Sequence, residues 1–269
     1  MKIAIRKAKS IITKSNLPDA DYVINPYVGC QHACIYCYAD FMKRFTDHTD
    51  DEWGKFVDIK EFDGLNIKPE KLNEKSVLIS SVTDPYQPVE AKYKATRQIL
   101  KKLSGTKARI DILTKSALVQ RDIDLLQTFE NLRVGISMNT TNPELSKALE
   151  PFGATPIARL KALKKVHEAG IETYLFISPF FPGISDYRTI IEQVGSSADT
   201  ILFENINIRL NNTRKVFAFL KKFKPKLVPM YQQLKQYPER WDPIEKEIKD
   251  YCVTNNISHK IYFHHGGFK

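Results

Sequence analysis

Three thiols, Cys30, Cys34 and Cys37, lie close together in the segment NPYVGCQHACIYCYAD, Asn25 to Asp40, with the spacing C-x3-C-x2-C. Cysteine thiolates are the protein ligands of iron–sulfur clusters, and full protein ligation of a 4Fe-4S cube takes four of them. Three from one loop would hold three irons and leave the fourth open to a small-molecule ligand. The same thiols would suit zinc if a fourth ligand closed the set, with His32 or the distant Cys252 as candidates, although structural zinc spacing usually runs as two close pairs.

An open iron on a strongly reducing cluster can chelate the amino and carboxylate groups of S-adenosyl-L-methionine (SAM). One electron passed into the sulfonium then releases a 5′-deoxyadenosyl radical. The cysteine motif with its aromatic neighbours Tyr36 and Tyr38 resembles the radical SAM superfamily, in which a side chain beside the last cysteine commonly lies against the adenine. Further along, TDPYQP at Thr83 to Pro88, Thr96-Arg97, TKSALVQRDIDLL from Thr114 and SPFFPGISD at Ser178 to Asp186 resemble the branch that contains spore photoproduct lyase. Their order along the chain is more specific than any one of them.

The resemblance implies a 4Fe-4S cluster on Cys30, Cys34 and Cys37, SAM as co-substrate and a set of SAM contacts. Lys115, at the carboxyl end of a strand, is the candidate for the methionyl carboxylate, with Arg159 as a second contact. Ser137 and Asn139 are candidates for the ribose hydroxyls, and Ile177 and Phe180 for the adenine. A GGE-like sequence after the second strand is missing, which leaves the SAM amino group to the cluster and to Thr83 and Asp84. Spore photoproduct lyase carries a hydrogen-donating cysteine in that region, whereas Ser80-Ser81-Val82-Thr83 holds none. Cys252 or a tyrosine is the remaining candidate donor, with a buried apolar role as the alternative for Cys252.

These residues need strands that end on one face. Tyr22 to Val28, Ser76 to Ser81, Arg109 to Thr114, Val134 to Ser137, Glu172 to Ile177 and Thr200 to Glu204 read as six strands separated by helical stretches. Parallel strands with right-handed crossovers place their chemistry at the carboxyl ends. The fold expected is therefore α/β, a partial parallel β/α barrel of six units of the radical SAM type, with a small helical C-terminal extension. Residues 1–20 form a basic N-terminal segment, 21–210 the barrel with its cluster, and 211–269 a basic and aromatic extension.

Net charge is +10, from 41 Lys and Arg against 31 Asp and Glu, a weak pointer to a polyanionic partner. The first sixteen residues hold five basic groups and no acid, and read either as an arm on phosphates or as an entry strand. Between Asn211 and Pro238 lysines alternate with Phe217, Phe219, Phe223, Tyr231 and Tyr237, which suits nucleic acid, yet Val216, Phe219, Leu220 and Phe223 have the spacing of a core-facing helix stripe. His264 and His265 beside two glycines would suit a tail that closes over substrate. No apolar run is long enough for a membrane span, and four cysteines give no disulfide framework. The expected setting is the cytoplasm, with a flavodoxin- or ferredoxin-type electron donor and a substrate that is a nucleic acid or, as alternatives, a peptide or small metabolite. The competing class is a zinc-containing nucleic-acid-binding protein without catalysis.

Overall fold

A computed structural model describes residues 1–263 apart from Pro18, Asn66 and Arg209; His264 and His265 lie outside the described residues. Its main sheet has the order β11-β10-β9-β8-β7-β6-β3-β2. From β3 (Tyr22–Ile24) through β6 (Ser76–Ile79), β7 (Arg109–Thr114), β8 (Leu132–Ser137), β9 (Glu172–Phe180) and β10 (Thr200–Asn205) to β11 (His259–Tyr262), each strand pairs in parallel with the next. β2 (Ile12–Lys14) runs antiparallel along β3 at one edge. The strands follow sequence order, and the sheet curls into an open barrel.

Alternation along the strands explains the two faces. Ile110 and Ile112, Val134 and Ile136, and Leu175 and Ile177 are buried against the covering helices. The opposite positions, Leu78, Asp111, Leu113, Arg133, Tyr174, Phe176, Leu202, Glu204 and Tyr262, line a cavity of about 160 Å³ on the inner face together with Leu17, Asp19 and Ala20. Tyr262 donates a hydrogen bond to Asp19 Oδ2 at 2.7 Å, which joins the last strand to the segment before the first across the open side.

Helices fill the crossovers. Asn142 and Thr155 cap Pro143–Leu149 and Pro156–Glu168 through their side-chain oxygens, each with proline in the first turn. Asp186 caps Tyr187–Val194.

Three expectations change. The first predicted strand is two: after β3 the chain turns at Asn25-Pro26, and β4 (Tyr27–Val28) leaves the barrel for a second sheet of order β1-β5-β4. Asn25 Oδ1 accepts the backbone N–H of Ser81 at 3.0 Å, and a proline cannot continue the ladder. The N-terminal segment is β1 (Lys2–Lys7), parallel to β5 (Phe56–Glu61), with Lys2 and Arg6 paired to Asp51 and Asp47 at 2.7 and 3.1 Å. Two of its charges thus meet the acidic stretch of the same chain, and the segment is a paired strand of this second sheet. The C-terminal extension contributes β11 to the barrel as well as the helices Leu210–Phe223, Val228–Gln236 and Asp242–Thr254. Val216, Phe219, Leu220 and Tyr231 are buried, as the core-facing helix stripe expects, whereas Tyr237 is exposed. Among the described residues, no helix is long and apolar enough to cross a membrane.

Candidate active site at the cysteine loop

Residues 29–38 form the loop that leaves β4, and its backbone is fixed from several directions. Thr83 Oγ1 donates to the carbonyl of Gly29 at 2.6 Å. Gln87 Nε2 reaches the same carbonyl at 3.3 Å, while its Oε1 accepts the N–H of Gln31 at 2.7 Å. The N–H of Ile35 is held by the Leu149 carbonyl at 3.0 Å. Asn212 and Asn211 donate to the carbonyls of Tyr36 and Cys37 at 2.9 and 3.3 Å. A loop without internal helix or strand bonds satisfies its backbone groups by these side chains, and each bond removes a way for the thiols to wander.

Cys30, Cys34 and Cys37 are all free thiols, with Cys30 buried and the others half-buried. Burial pushes all three upward from the usual thiol range, so a thiolate there needs a metal to take the place of the proton. The zinc set does not form. His32 Nδ1 donates to the carbonyl of Phe152 at 3.0 Å and its Nε2 lies 3.2 Å from Asp84 Oδ2, so neither nitrogen is offered to the thiols. Among the described residues, no three His, Cys, Asp or Glu side chains gather around one metal ion. Thiolates that bind separate irons at the corners of a cube need not converge on a point, and three free thiols in one braced loop fit such a cluster.

Beyond the thiols lies a buried polar network that no sequence motif announces. Glu150, at the end of the helix that opens at Pro143, receives hydrogen bonds from Tyr36 Oη, Arg159 Nη2 and Asn139 Nδ2, the last at 3.1 Å. Burial works against its charge, yet Arg159 and Lys115 hold its carboxyl below the usual range. The remaining donors of Arg159 go to the carbonyls of Ala154 and Ser137 at 2.9 and 2.8 Å, and the residue is 1% exposed. Arg159 is therefore neither a surface arginine nor a guanidinium open to a ligand carboxylate; it is the counter-ion of Glu150.

Lys115 differs. Its backbone N–H is held by Asp84 Oδ2 at 2.7 Å, while its ammonium, half-buried and 6.0 Å from the centre of the Tyr36 ring, has no ion-pair or hydrogen-bond partner among the described residues. Burial lowers its pKa, but Glu150, Cys34 and Asp84 outweigh that and keep it above the usual lysine value. An ammonium held charged beside the thiols without a carboxylate of its own is equipped to take an anionic ligand.

Asp84 is committed to the protein. Its Oδ1 accepts from Thr114 Oγ1 at 2.6 Å and from the Tyr86 N–H at 2.8 Å, and Oδ2 accepts from Lys115 N. Burial would raise its pKa, but His32 and these donors hold it at about 2. Thr83 and Gln87 likewise face the cysteine loop, so TDPYQP braces that loop. At the end of β6, Ser80 has φ +73° and a buried hydroxyl without a hydrogen-bond partner among the described residues.

Asn139 keeps Oδ1 buried and unpartnered, whereas Ser137 donates to the carbonyl of Ser178 at 2.8 Å. Ile177 and Phe180 are both buried, with Phe180 ringed by Tyr187 and Phe263. The Tyr36 ring is buried edge-on to Phe181 at 5.6 Å, whereas Tyr38 is exposed and donates to the Ser81 carbonyl at 2.7 Å. Cys252 is 0% exposed in the apolar core, and burial pushes its thiol up to about 11. A hydrogen donor must touch the substrate carbon; this thiol touches core side chains, and the apolar reading is the one that describes it.

Comparison with known proteins adds to this geometry. Residues 24–192 match the family model of the Radical SAM superfamily. The uncharacterized protein MJ0683 of Methanocaldococcus jannaschii is 40% identical over 209 residues, 78% of this chain and 79% of that protein. ORF301 of Acidianus two-tailed virus is 31% identical over 180 residues, 60% of this chain and 56% of that protein. Among solved structures, spore photoproduct lyase complexed with dinucleoside spore photoproduct gives a TM-score of 0.70 at 14% identity, over 97% of this chain and 82% of that one. Streptococcus suis SuiB bound to precursor peptide SuiA gives 0.54 at 15% identity, over 90% and 48%. At such identities the solved structures speak to the fold alone.

Proposed function

The chain belongs to the radical SAM superfamily, and we propose that it is an enzyme that cleaves SAM reductively and directs the resulting radical at a nucleic-acid substrate. The cofactors of the superfamily, a 4Fe-4S cluster and SAM, supply a 5′-deoxyadenosyl radical that takes a hydrogen atom from the substrate. The observation that carries the reading is the conjunction of three free thiols in one braced loop with the uncommitted, charged ammonium of Lys115 beside them.

Cys30, Cys34 and Cys37 would hold three irons of the cluster, which would leave the fourth open to SAM. Lys115 takes the methionyl carboxylate, since Arg159 is occupied by Glu150. Asn139, through its unpartnered Oδ1, serves the ribose, while Phe180 gives the apolar wall against which the adenine region packs, with Ile177 buried behind it. Glu150, Arg159 and Asp84 fix these groups and exclude water from the floor of the site. The electron comes from a flavodoxin- or ferredoxin-type donor.

A surface next to the loop favours nucleic acid over a peptide or small metabolite. Tyr38, Phe41 and Phe45 are 47%, 40% and 65% exposed. The guanidinium carbon of Arg44 sits 5.4 Å from the Phe41 ring centre and 4.7 Å from that of Phe45. Exposed rings interleaved with arginine stack bases and neutralise phosphate. The similarly folded spore photoproduct lyase has been crystallised with a dinucleoside. Because the region around Ser80 lacks a cysteine and Cys252 is enclosed, return of a hydrogen by a cysteine is not part of the proposal.

Anaerobic reconstitution with iron and sulfide tests the reading. Wild type should take up about four irons per chain and, with SAM and dithionite, release 5′-deoxyadenosine; Cys30→Ala, Cys34→Ala and Cys37→Ala combined should do neither. Oligonucleotide binding should weaken steeply with salt. A protein that takes up zinc alone and leaves SAM intact overturns the radical assignment, and salt-independent or absent oligonucleotide binding moves the substrate to a peptide or small metabolite.

A further inference from the structure

The stretch between the cysteine loop and β5 folds back over the loop at van der Waals distance. Gly54, at φ +93°, passes so close to Ala33 that a Cβ on it would lie 2.5 Å from the Ala33 methyl. Gly29, at φ +86°, lies equally tight against the carbonyl oxygen of Phe56. Trp53 and Phe56 thereby enter one apolar cluster with Cys30 and Ala39, against which Cys37 packs. The two rings meet edge to face at 5.7 Å and 86°.

Inside that cluster one polar atom stands out. Trp53 is 7% exposed, and its indole Nε1 is enclosed without a hydrogen-bond partner among the described residues. An enclosed N–H with nothing to bind is costly, and native interiors keep few of them. The sulfur of Cys37, which packs against the same cluster, offers an acceptor. Burial raises the Cys37 thiol, and the indole N–H is among the groups that pull it back down. As a neutral thiol that sulfur is a weak acceptor; as an iron-bound thiolate it is a strong one.

We propose that Trp53 is a positioning residue for the cluster: its indole N–H donates to the Cys37 sulfur when that sulfur ligates iron, and this bond raises the cluster's reduction potential. The inference rests on the radical SAM reading above. Hydrogen bonds to cluster sulfurs favour the reduced state, because it carries one more negative charge and the donor's positive end offsets it. Without the bond the one-electron reduction that must precede SAM cleavage becomes harder. The apolar clasp around Gly54 and Phe56 sets where the indole sits, and the N–H decides what it does there.

The experiment is a potentiometric titration followed by electron paramagnetic resonance, on full-length protein reconstituted anaerobically, for wild type and Trp53→Phe. Iron content is measured first. Wild type without a cluster would sink the radical SAM reading itself, separately from this inference. With iron content matched, Trp53→Phe should shift the reduction equilibrium about tenfold against the reduced cluster, about 59 mV more negative for a one-electron couple. An unchanged potential at matched iron content overturns the proposal. Should the phenylalanine variant fail to hold iron, the same titration is run with Trp53 replaced by 3-benzothienylalanine, which keeps the bicyclic shape and lacks only the N–H. The same negative shift supports the hydrogen bond, and the wild-type potential reduces Trp53 to a packing residue.

Discussion

Gln87 accepts the backbone N–H of Gln31 at 2.7 Å, and through that contact the turn after β6 fixes the peptide that carries Cys30. Its amide group also reaches Thr83 Oγ1 at 2.9 Å, which in turn holds the carbonyl of Gly29, so both flanks of Cys30 hang on one fully buried side chain. Gln87→Leu keeps the volume and removes every bond. Loss of partners that orient metal ligands typically costs 10- to 100-fold in metal affinity, so the reconstituted variant should lose iron to a chelator roughly 10- to 100-fold faster than wild type. Equal rates would mean that the loop holds its shape unaided.

Lys115→Ala should weaken SAM binding to the cluster-loaded protein by roughly 10- to 100-fold, the loss of a charge-assisted contact of about 1.5–3 kcal/mol. Iron content should stay at the wild-type value. Lys115→Arg, which keeps the charge, should recover part of the affinity. Calorimetric titration with SAM reads both, and wild-type affinity in the alanine variant would remove Lys115 from the site.

Glu150 and Arg159 form a pair that is buried on both sides. Glu150→Gln strands an arginine inside the fold and should cost roughly 3–5 kcal/mol in urea unfolding. The double variant Glu150→Gln with Arg159→Met should cost less than the sum of the two singles, because no unpaired charge remains. Additive losses would show that the two side chains act independently.

His48 stacks on Phe56 at 4.1 Å and lies 2.7 Å from Asp51 and 3.1 Å from Asp58. Burial opposes its charge, but the two carboxylates win and raise its pKa above 6.5. A raised folded-state pKa stabilises the fold fully below the unfolded value and loses that contribution as pH rises through the folded value. Between pH 6 and pH 9 the thermal midpoint of wild type should therefore fall relative to that of His48→Gln. A gap that widens with pH would contradict the assignment. Because Phe56 abuts the cysteine loop, cluster retention in wild type should decline over the same interval.

Local signals along the chain are enough to establish the cysteine loop, the six parallel strands in chain order and the helices between them: fixed ligand spacing, β-branched runs of strand length, and proline or glycine at the positions where helices start and stop. They also supply the side chains from which the candidate site is drawn. Which of those side chains remain available to a ligand is settled by folding alone. Arg159 and Lys115 look alike in the chain, both basic and near the active face, yet the first is consumed by Glu150 nine positions away and the second is not. Neither Glu150 nor Trp53 is among the candidates that the motifs along the chain offer. The roles of both come from partners on other elements, Tyr36 and Arg159 for the one and Cys37 for the other. The seventh parallel strand is likewise hidden, because four residues, His259–Tyr262, gain their strand character only from pairing with β10. Periodicity records which face of an element is buried. The partner that a polar group finds after burial is a long-range contact with no period, so it becomes readable only when the chain is folded.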